Sequence, residues 1–368
     1  MTLQGMKMLN AKKIKEIAKK AGADLCGIAP ISRMADAPKE MNPKYLFPSV
    51  KSIVGFVFRI PRGVQRGIEE GTQFYQYPSM AYGGINEILA PATLYHVGKA
   101  IEDEGYEAFV YRNTGARGCV SDMDGREGAT ISPEEQIEAN EMQKEGTAQH
   151  RTVDFTRATR PGENVPPDLQ FQFRICAVAC GLGEIGWSKM LLTPQFGPLQ
   201  RVAFLFTDAE FDAYDEIYSG PPLCRKCGAC VRECPGHCIP EIRGGKKCTA
   251  TIGGYKMEWG DIDMWKCFAF YTHTGRYFNP FVPKEVFDRN EGGALDMLEG
   301  KKPADEKEVA KVYAALAKYF PSWVGYNMAK CGGCIRACVA MLEKPGGCLH
   351  DRFKNPLRTR TKAWKMER

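Results

Sequence analysis

Apolar positions near the start of the chain recur at helical spacing. Ile14, Ile17, Ala18 and Ala21 fall on one face behind Asn10, a good N-cap, and Gly22 ends the run. Residues 24–31 then alternate as a short strand. Residues 49–60 are dense in β-branched and aromatic side chains and stop at Pro61, which predicts a buried strand. Helical spacing returns at Ile85, Ile88, Leu89, Leu94, Val97 and Ile101 and closes at Gly105, and residues 106–111 predict a further strand. This alternation of strands and helices predicts an α/β or α+β domain.

The pattern breaks over residues 113–168, which are polar and punctuated by Gly115, Gly118, Gly125, Gly128, Pro161, Gly162, Pro166 and Pro167. An irregular excursion of this length implies a purpose, such as shaping a pocket. Order resumes at 171–180, followed by a glycine-rich turn at Gly181, Gly183 and Gly186 and a strand at 200–207. A boundary falls near Ser219, Gly220, Pro221 and Pro222. The organisation expected is therefore a first domain at 1–218, a cysteine-rich module at 219–350, and a basic tail at 351–368.

Composition sharpens this picture through cysteine, of which the chain has 15 in 368 residues. The first residues hold no apolar stretch of signal-peptide length and no twin arginine, and the longest apolar runs are too short to span a bilayer. A reducing, cytoplasmic setting is the expectation, and there clustered cysteines hold metal rather than disulfides.

The strongest chemical signal is Cys224, Cys227, Cys230, Cys234 and Pro235, the C-x2-C-x2-C-x3-C-P run of bacterial ferredoxins. Three thiolates two residues apart wrap three iron corners of one cube, and the fourth cysteine points to another cube. A structural zinc site would instead use two separated C-x2-C knuckles. A second half follows at Cys331, Cys334 and Cys338, with Val339 where the proline would stand. Four ligands per cubane demand one more thiolate, from Cys248, Cys267 or Cys348. Cys267 is favoured, because Trp265, Phe268, Phe270 and Tyr271 surround it in sequence. Crossed ligation gives one 4Fe–4S cluster to Cys224, Cys227, Cys230 and Cys338, and the other to Cys234, Cys267, Cys331 and Cys334. Cys238, Cys248 and Cys348 are then spare. Eight thiolates and two oxidised cores of about +2 each bring the formal +6 down to roughly +2, too little to argue for nucleic acid.

The glycines of the turn superficially match a dinucleotide fingerprint, but no strand–turn–helix with a later acid accompanies them. Together with the cluster motifs, the stretch resembles the cobalamin-dependent reductase superfamily of reductive dehalogenases and epoxyqueuosine reductases. The residues that carry the likeness are Ala179, Cys180, Gly181, Leu182 and Gly183, then Thr193, Pro194, Gly197 and Pro198, then Thr207 and Asp208. The segment 266–271 and the Cys334–Cys338 spacing are similar to the dehalogenase form, whereas the opening through Asp24, Gly27 and Pro30 looks like that of epoxyqueuosine reductase.

The resemblance implies an α+β fold, with a nitroreductase-like corrinoid-binding domain followed by a ferredoxin-like two-cluster module. It implies base-off cobalamin near Cys180, Gly181, Leu182, Gly183, Gly186, Thr193, Pro194 and Gly197. None of His96, His150, His237, His273 and His350 has the setting of a cobalt ligand. It implies a proton donor, for which Asp168, Tyr95 and Tyr111 are the alternatives. Ferredoxin or flavodoxin would supply electrons, and a small organic substrate would lose halide or oxygen. The alternatives are tRNA as the substrate of an epoxyqueuosine reductase, and an electron-transfer protein with no substrate of its own. The cluster motifs alone predict about eight irons and eight acid-labile sulfides per chain. Anaerobic iron and sulfide assays check this, and Cys267→Ser should perturb one cluster's spectrum whereas Cys348→Ser should not.

Overall fold

The computed structural model describes residues 8–37, 42–70, 76–112, 173–234, 236–263, 266–267, 289–298, 300–305, 308, 311 and 332–358. Helix α1 (Ala11–Lys20) starts where Asn10 accepts a hydrogen bond from Lys13 N, and it buries Ala11, Ile14 and Ala18. Strands β1 (Leu25–Pro30), β2 (Ser52–Arg59) and β3 (Ala108–Tyr111) follow. After the two-residue strands β4 (Glu184–Ile185) and β5 (Leu191–Leu192) comes β6 (Gln200–Thr207). The main sheet has the order β1-β2-β6-β3 and every pairing is antiparallel, with Ser52 opposite Thr207 and Ala108 opposite the same Thr207. The fold is thus mixed helix and strand, of the α+β kind, and the parallel βαβ unit of a dinucleotide-binding fold is absent among the described residues.

Both faces of the sheet are covered, which is why β2 reads as an almost unbroken apolar run. Val54, Phe56, Phe58, Ala203 and Leu205 share a core with α1 and with α3 (Ala90–Glu102), which contributes Leu94, Val97 and Ile101. Ile53, Val57, Val202, Phe204 and Phe206 face helix α4 (Phe173–Ala179) and a hairpin of β7 (Lys247–Ile252) and β8 (Tyr255–Gly260). Gly55 sits on this second face because an added Cβ would stand 3.1 Å from the Cys180 thiol.

The helix expected from Ile85 begins earlier. Ser79–Leu89 is a π-helix that runs into α3, where Pro91 falls within the first turn. Widened turns of this kind are rare and gather at functional sites. The last strand before the excursion is shorter than 106–111, since only Ala108–Tyr111 finds partners on β6. Residues 113–168 lie outside the described residues. Among those described, no helix is long and apolar enough to cross a membrane.

Helix α6 (Gly333–Leu342) buries Ile335, Val339, Ala340 and Leu342 in the same core as α1 and α3, so that core runs across the boundary expected near residue 219. Charge reinforces this packing. Arg336, 1% exposed, is 3.2 Å from Glu233 and 3.7 Å from the wholly buried Glu69 of helix α2 (Val64–Glu70), and donates to Arg358 O at 2.7 Å. Glu343 accepts from Arg62 Nη2 at 3.0 Å and from Leu357 N at 2.6 Å. Removing one partner of such a pair strands the other charge. Glu343→Ala should therefore cost about 3 kcal/mol. Lys13→Ala, which breaks an exposed pair with Glu104, should cost less than about 1 kcal/mol. Anaerobic urea unfolding at equal iron content measures both.

Candidate metal centres

The two cysteine groups are built on a repeated local structure. Helix α5 (Ala229–Arg232) is preceded by Gly228 at φ 70°, and α6 by Gly332 at φ 60°, both in the left-handed region where a side chain is strained. Around these glycines the chain repeats itself. Lys226, Cys227, Gly228, Cys230, Val231, Arg232 and Cys234 correspond to Lys330, Cys331, Gly332, Cys334, Ile335, Arg336 and Cys338. The lysine and arginine of the repeat make it a stronger signal than the cysteine spacing alone. Helices α5 and α6 pack against each other, which brings the halves together. Lys330 and Cys331 lie outside the described residues.

The first group is Cys224, Cys227, Cys230 and Cys338. Burial pushes the Cys338 thiol well up, and the nearness of Cys224, Cys230 and Cys227 adds to the shift. Burial pushes Cys230 up to about 12, helped by Cys224 and Cys227. Thiols this close resist ionising together, and a bound cation reverses that, because coordination removes the proton outright. Trp187 N donates to Cys224 Sγ at 3.3 Å, and Cys224 N donates to Glu184 Oε1 at 2.5 Å. Cys227 is the exposed member of this group.

The second group is Cys234, Cys267 and Cys334, enclosed with Trp187, Val231, Ile239 and Ile262. Asp263 delivers Cys267: its carbonyl accepts from Cys267 N at 2.9 Å and its carboxylate from Lys266 N at 2.9 Å. Cys238, set aside as spare from the sequence, stands here too. Its amide donates to Cys234 Sγ at 3.3 Å, and its thiol bonds to both Cys234 and Cys267. That thiol hydrogen bond lowers Cys234 to about 6 and lowers Cys267 as well, in each case against burial. Cys248 instead hydrogen-bonds Asp261 at 3.5 Å, and Cys348 lies 4.0 Å from Thr193 O.

Among the described residues no three His, Cys, Asp or Glu side chains close on a point, as a single ion would require. A cubane takes one thiolate at each of its spread corners, and all-thiol sets with amide donors to sulfur fit it. Cations line the second group. Burial and Arg201 lower Arg174, while Tyr82, Cys334 and Cys267 pull it back up. Lys189 is lowered by burial and by Arg174, with Cys248, Asp261 and Cys267 acting the other way. These charges suit the net negative charge of a tetrathiolate cubane.

The glycine-rich turn is packed against this chain itself. A Cβ on Gly181 would meet Glu216 O at 2.2 Å, and one on Gly183 would meet Leu192 O at 1.9 Å. Gly186 abuts the Leu192 side chain, and Gly197 abuts Leu342 and Leu349. Leu182 and Cys180 are buried under the sheet, and Thr193 closes a tight loop over Pro194 by bridging Gly197. Close self-packing is thus a sufficient reason for glycine at these positions, and Glu184 and Trp187 make the turn a mount for the first cysteine group.

Of the proton-donor alternatives, Asp168 lies outside the described residues. Tyr95 stands 65% exposed on α3. Tyr111 packs its ring on Phe173 and Phe206. Tyr82 of the π-helix, which no sequence motif marks, has the Arg201 guanidinium 3.7 Å over its ring and interacts with Arg174. The irregular helical spacing after Pro78 was the one available hint. Near it on the π-helix, Asn86 is buried and its Oδ1 has no hydrogen-bond partner.

No family model matches the chain. It is 33% identical over 106 residues to a tetrachloroethene reductive dehalogenase of Desulfitobacterium hafniense, a match covering 27% of this chain and 19% of that protein. A second D. hafniense enzyme of that name is 32% identical over 158 residues, covering 41% and 27%. The corresponding protein of Sulfurospirillum multivorans is 31% identical over 105 residues, covering 27% of this chain and 20% of that protein. The matches thus span about a quarter or less of these relatives. Among solved structures, a reductive dehalogenase studied for B12-dependent dehalogenation has a TM-score of 0.46 at 16% identity, covering 90% of this chain and 42% of that one. Epoxyqueuosine reductase from Streptococcus thermophilus has 0.39 at 13%, covering 80% and 66%. The curated relatives are reductive dehalogenases, in keeping with the cobalamin-dependent reductase superfamily that the motifs resemble.

The mount made by Glu184 can be tested directly. Glu184→Ala frees the Cys224 amide and should shift the reduced-state EPR signal and potential of one cluster, leaving iron content and the other signal unchanged. Glu184→Gln retains the acceptor oxygen and should restore the native spectrum.

Proposed function

We propose that this chain is an iron–sulfur reductase that uses a corrinoid to expel a leaving group, halide in the first instance, from a small organic substrate. The observation that carries this reading is the convergence on Arg174 of the second cysteine group, through Cys267 and Cys334, and of Tyr82. This grouping supports the reading of an electron store beside an acid–cation pair, in keeping with relatives named as reductive dehalogenases.

The residues present fit a corrinoid in two respects. Asn86 Oδ1 is a buried acceptor without a partner among the described residues, suited to a peripheral carboxamide N–H. The described histidines, His96, His237 and His350, are all exposed, which suits a cobalt that takes no protein histidine. When bound, the corrinoid supplies a low-valent, nucleophilic metal. This chain's residues do the rest. Electrons from a low-potential donor such as ferredoxin or flavodoxin enter at the exposed Cys227 side and pass inward to the second group. Tyr82 holds a proton at its phenol oxygen for the carbon that loses the leaving group. Arg201, stacked on that ring, keeps the phenol oriented.

Cofactor extraction from anaerobically purified protein should yield a corrinoid along with iron. A panel of haloaromatic substrates with a low-potential donor should release halide stoichiometrically and with little effect of salt. Tyr82→Phe should lower kcat by about 10²–10⁴ with cluster and corrinoid content unchanged. Conversion of epoxyqueuosine in tRNA, falling steeply with salt, would decide for that alternative. Clusters without corrinoid or turnover would decide for electron transfer alone.

A further inference from the structure

Cys227 is the exposed one among the described cysteines, so the first group meets solvent at that residue. Cations crowd around it. Arg225, Lys226 and Arg232 stand exposed on the same motif. Arg225 Nη1 donates to Pro345 O at 2.9 Å, and Arg232 Nη1 donates to Cys227 O at 3.1 Å. Both guanidiniums are therefore anchored by neutral carbonyls and keep their full charge. The Lys226 ammonium lies 5.8 Å over the ring of Trp187, whose main-chain N donates to Cys224 Sγ.

The hairpin of β7 and β8 extends this patch. Ala250, Ile252, Met257 and Trp259 point into the core, so alternation turns Lys247, Lys256 and Glu258 to the opposite, outward face. Gly260 N donates to Trp187 O at 2.9 Å, which fastens the hairpin to the motif. Glu258 is the one acid on that face, and Lys226 and Lys247 share it, Lys247 at 2.8 Å. Five cations thus surround the exposed cysteine with one carboxylate among them. The whole chain sets 50 Lys and Arg against 44 Asp and Glu, so this excess is local and not a share of a general basicity.

We propose that this face docks a small acidic electron-carrier protein, with its carboxylates on the cations and its redox group against Cys227. On transfer the carrier is oxidised by one electron and the first cluster is reduced by one, and no bond or proton moves. A basic patch placed around the exposed ligand steers an acidic partner to the orientation that transfer needs. A nucleic acid serving as substrate would instead have to reach the Tyr82 site.

This inference rests on the reading of the chain as an iron–sulfur reductase, but its readout needs neither corrinoid nor substrate. Stopped-flow mixing of the anaerobic holoprotein with flavodoxin hydroquinone, followed by semiquinone formation, measures it. The wild-type rate should fall as salt rises from about 0.05 to about 0.5 M. Lys247→Glu/Lys256→Glu should slow it about tenfold at low salt, at equal iron content. Lys12→Glu/Lys20→Glu, the same charge change on α1, should slow it far less. A wild-type rate indifferent to salt, or equal rates in the two variants, would overturn the proposal. So would clusters that dithionite reduces and flavodoxin does not, with the iron–sulfur reading left standing. Purified protein without iron would overturn both. Weaker tRNA binding by Lys247→Glu/Lys256→Glu with unchanged reduction would give the patch to nucleic acid and overturn the docking. If that double variant does not accumulate, Lys256→Glu alone should slow reduction in the same direction, and an unchanged rate would overturn the proposal.

Discussion

Helix α6 has to satisfy two neighbours at once, and the rest of the structure is arranged around that demand. One side puts Ile335, Val339 and Ala340 into the core beneath the sheet. The same ten residues carry Cys334 and Cys338 toward α5 and the first motif. The helix cannot rotate to favour one neighbour without exposing apolar side chains to the other. Arg336, between the two cysteines, takes Glu69 from one side and Glu233 from the other, so the buried charge is neutralised only in this register. The cysteine groups are therefore held to the frame of the sheet rather than carried on a loose appendage.

A second consequence is that the glycine-rich turn works as a joint. It leaves α4 at Cys180, passes under Glu216 and Leu192 at distances that only glycine permits, and presents Glu184 and Trp187 to Cys224. Electrostatics runs the same way. Arg174, Lys189 and Arg201 would be costly near one another inside a protein unless a compensating anion stood close. The thiols of Cys267 and Cys334 are where such an anion would form, and the Tyr82 ring stacks under Arg201.

Much of this frame was legible in the sequence because it follows from local rules. Asn10 capping, the 3.6-residue spacing to Ala21, and the β-branched run through Phe58 each name an element, and the structure has each. The cysteine spacing was equally legible, since four sulfurs around a cube dictate it. What escaped was tertiary in origin. The π-helix at Ser79–Leu89 gives no distinctive periodicity, so Tyr82 and Asn86 were passed over. The place of Cys238 was likewise not legible, because the fold-back at His237 and the Asp263 backbone bonds that set it beside Cys234 and Cys267 join distant segments. At the turn glycines, sequence shows that a Cβ is disfavoured, while the close approach of Glu216 O and Leu192 O that forbids it belongs to the fold.

The central claim is that two all-thiolate iron–sulfur sites straddle the contact of α5 with α6. Diffraction from anaerobically grown crystals, recorded above and below the iron edge, tests it most directly. The account predicts two compact anomalous peaks. One should be bounded by Cys224, Cys227, Cys230 and Cys338, and the other should lie among Cys234, Cys267 and Cys334 against Arg174. A single peak, a signal at the zinc edge instead, or cysteine sulfurs joined in disulfides at these positions would contradict it.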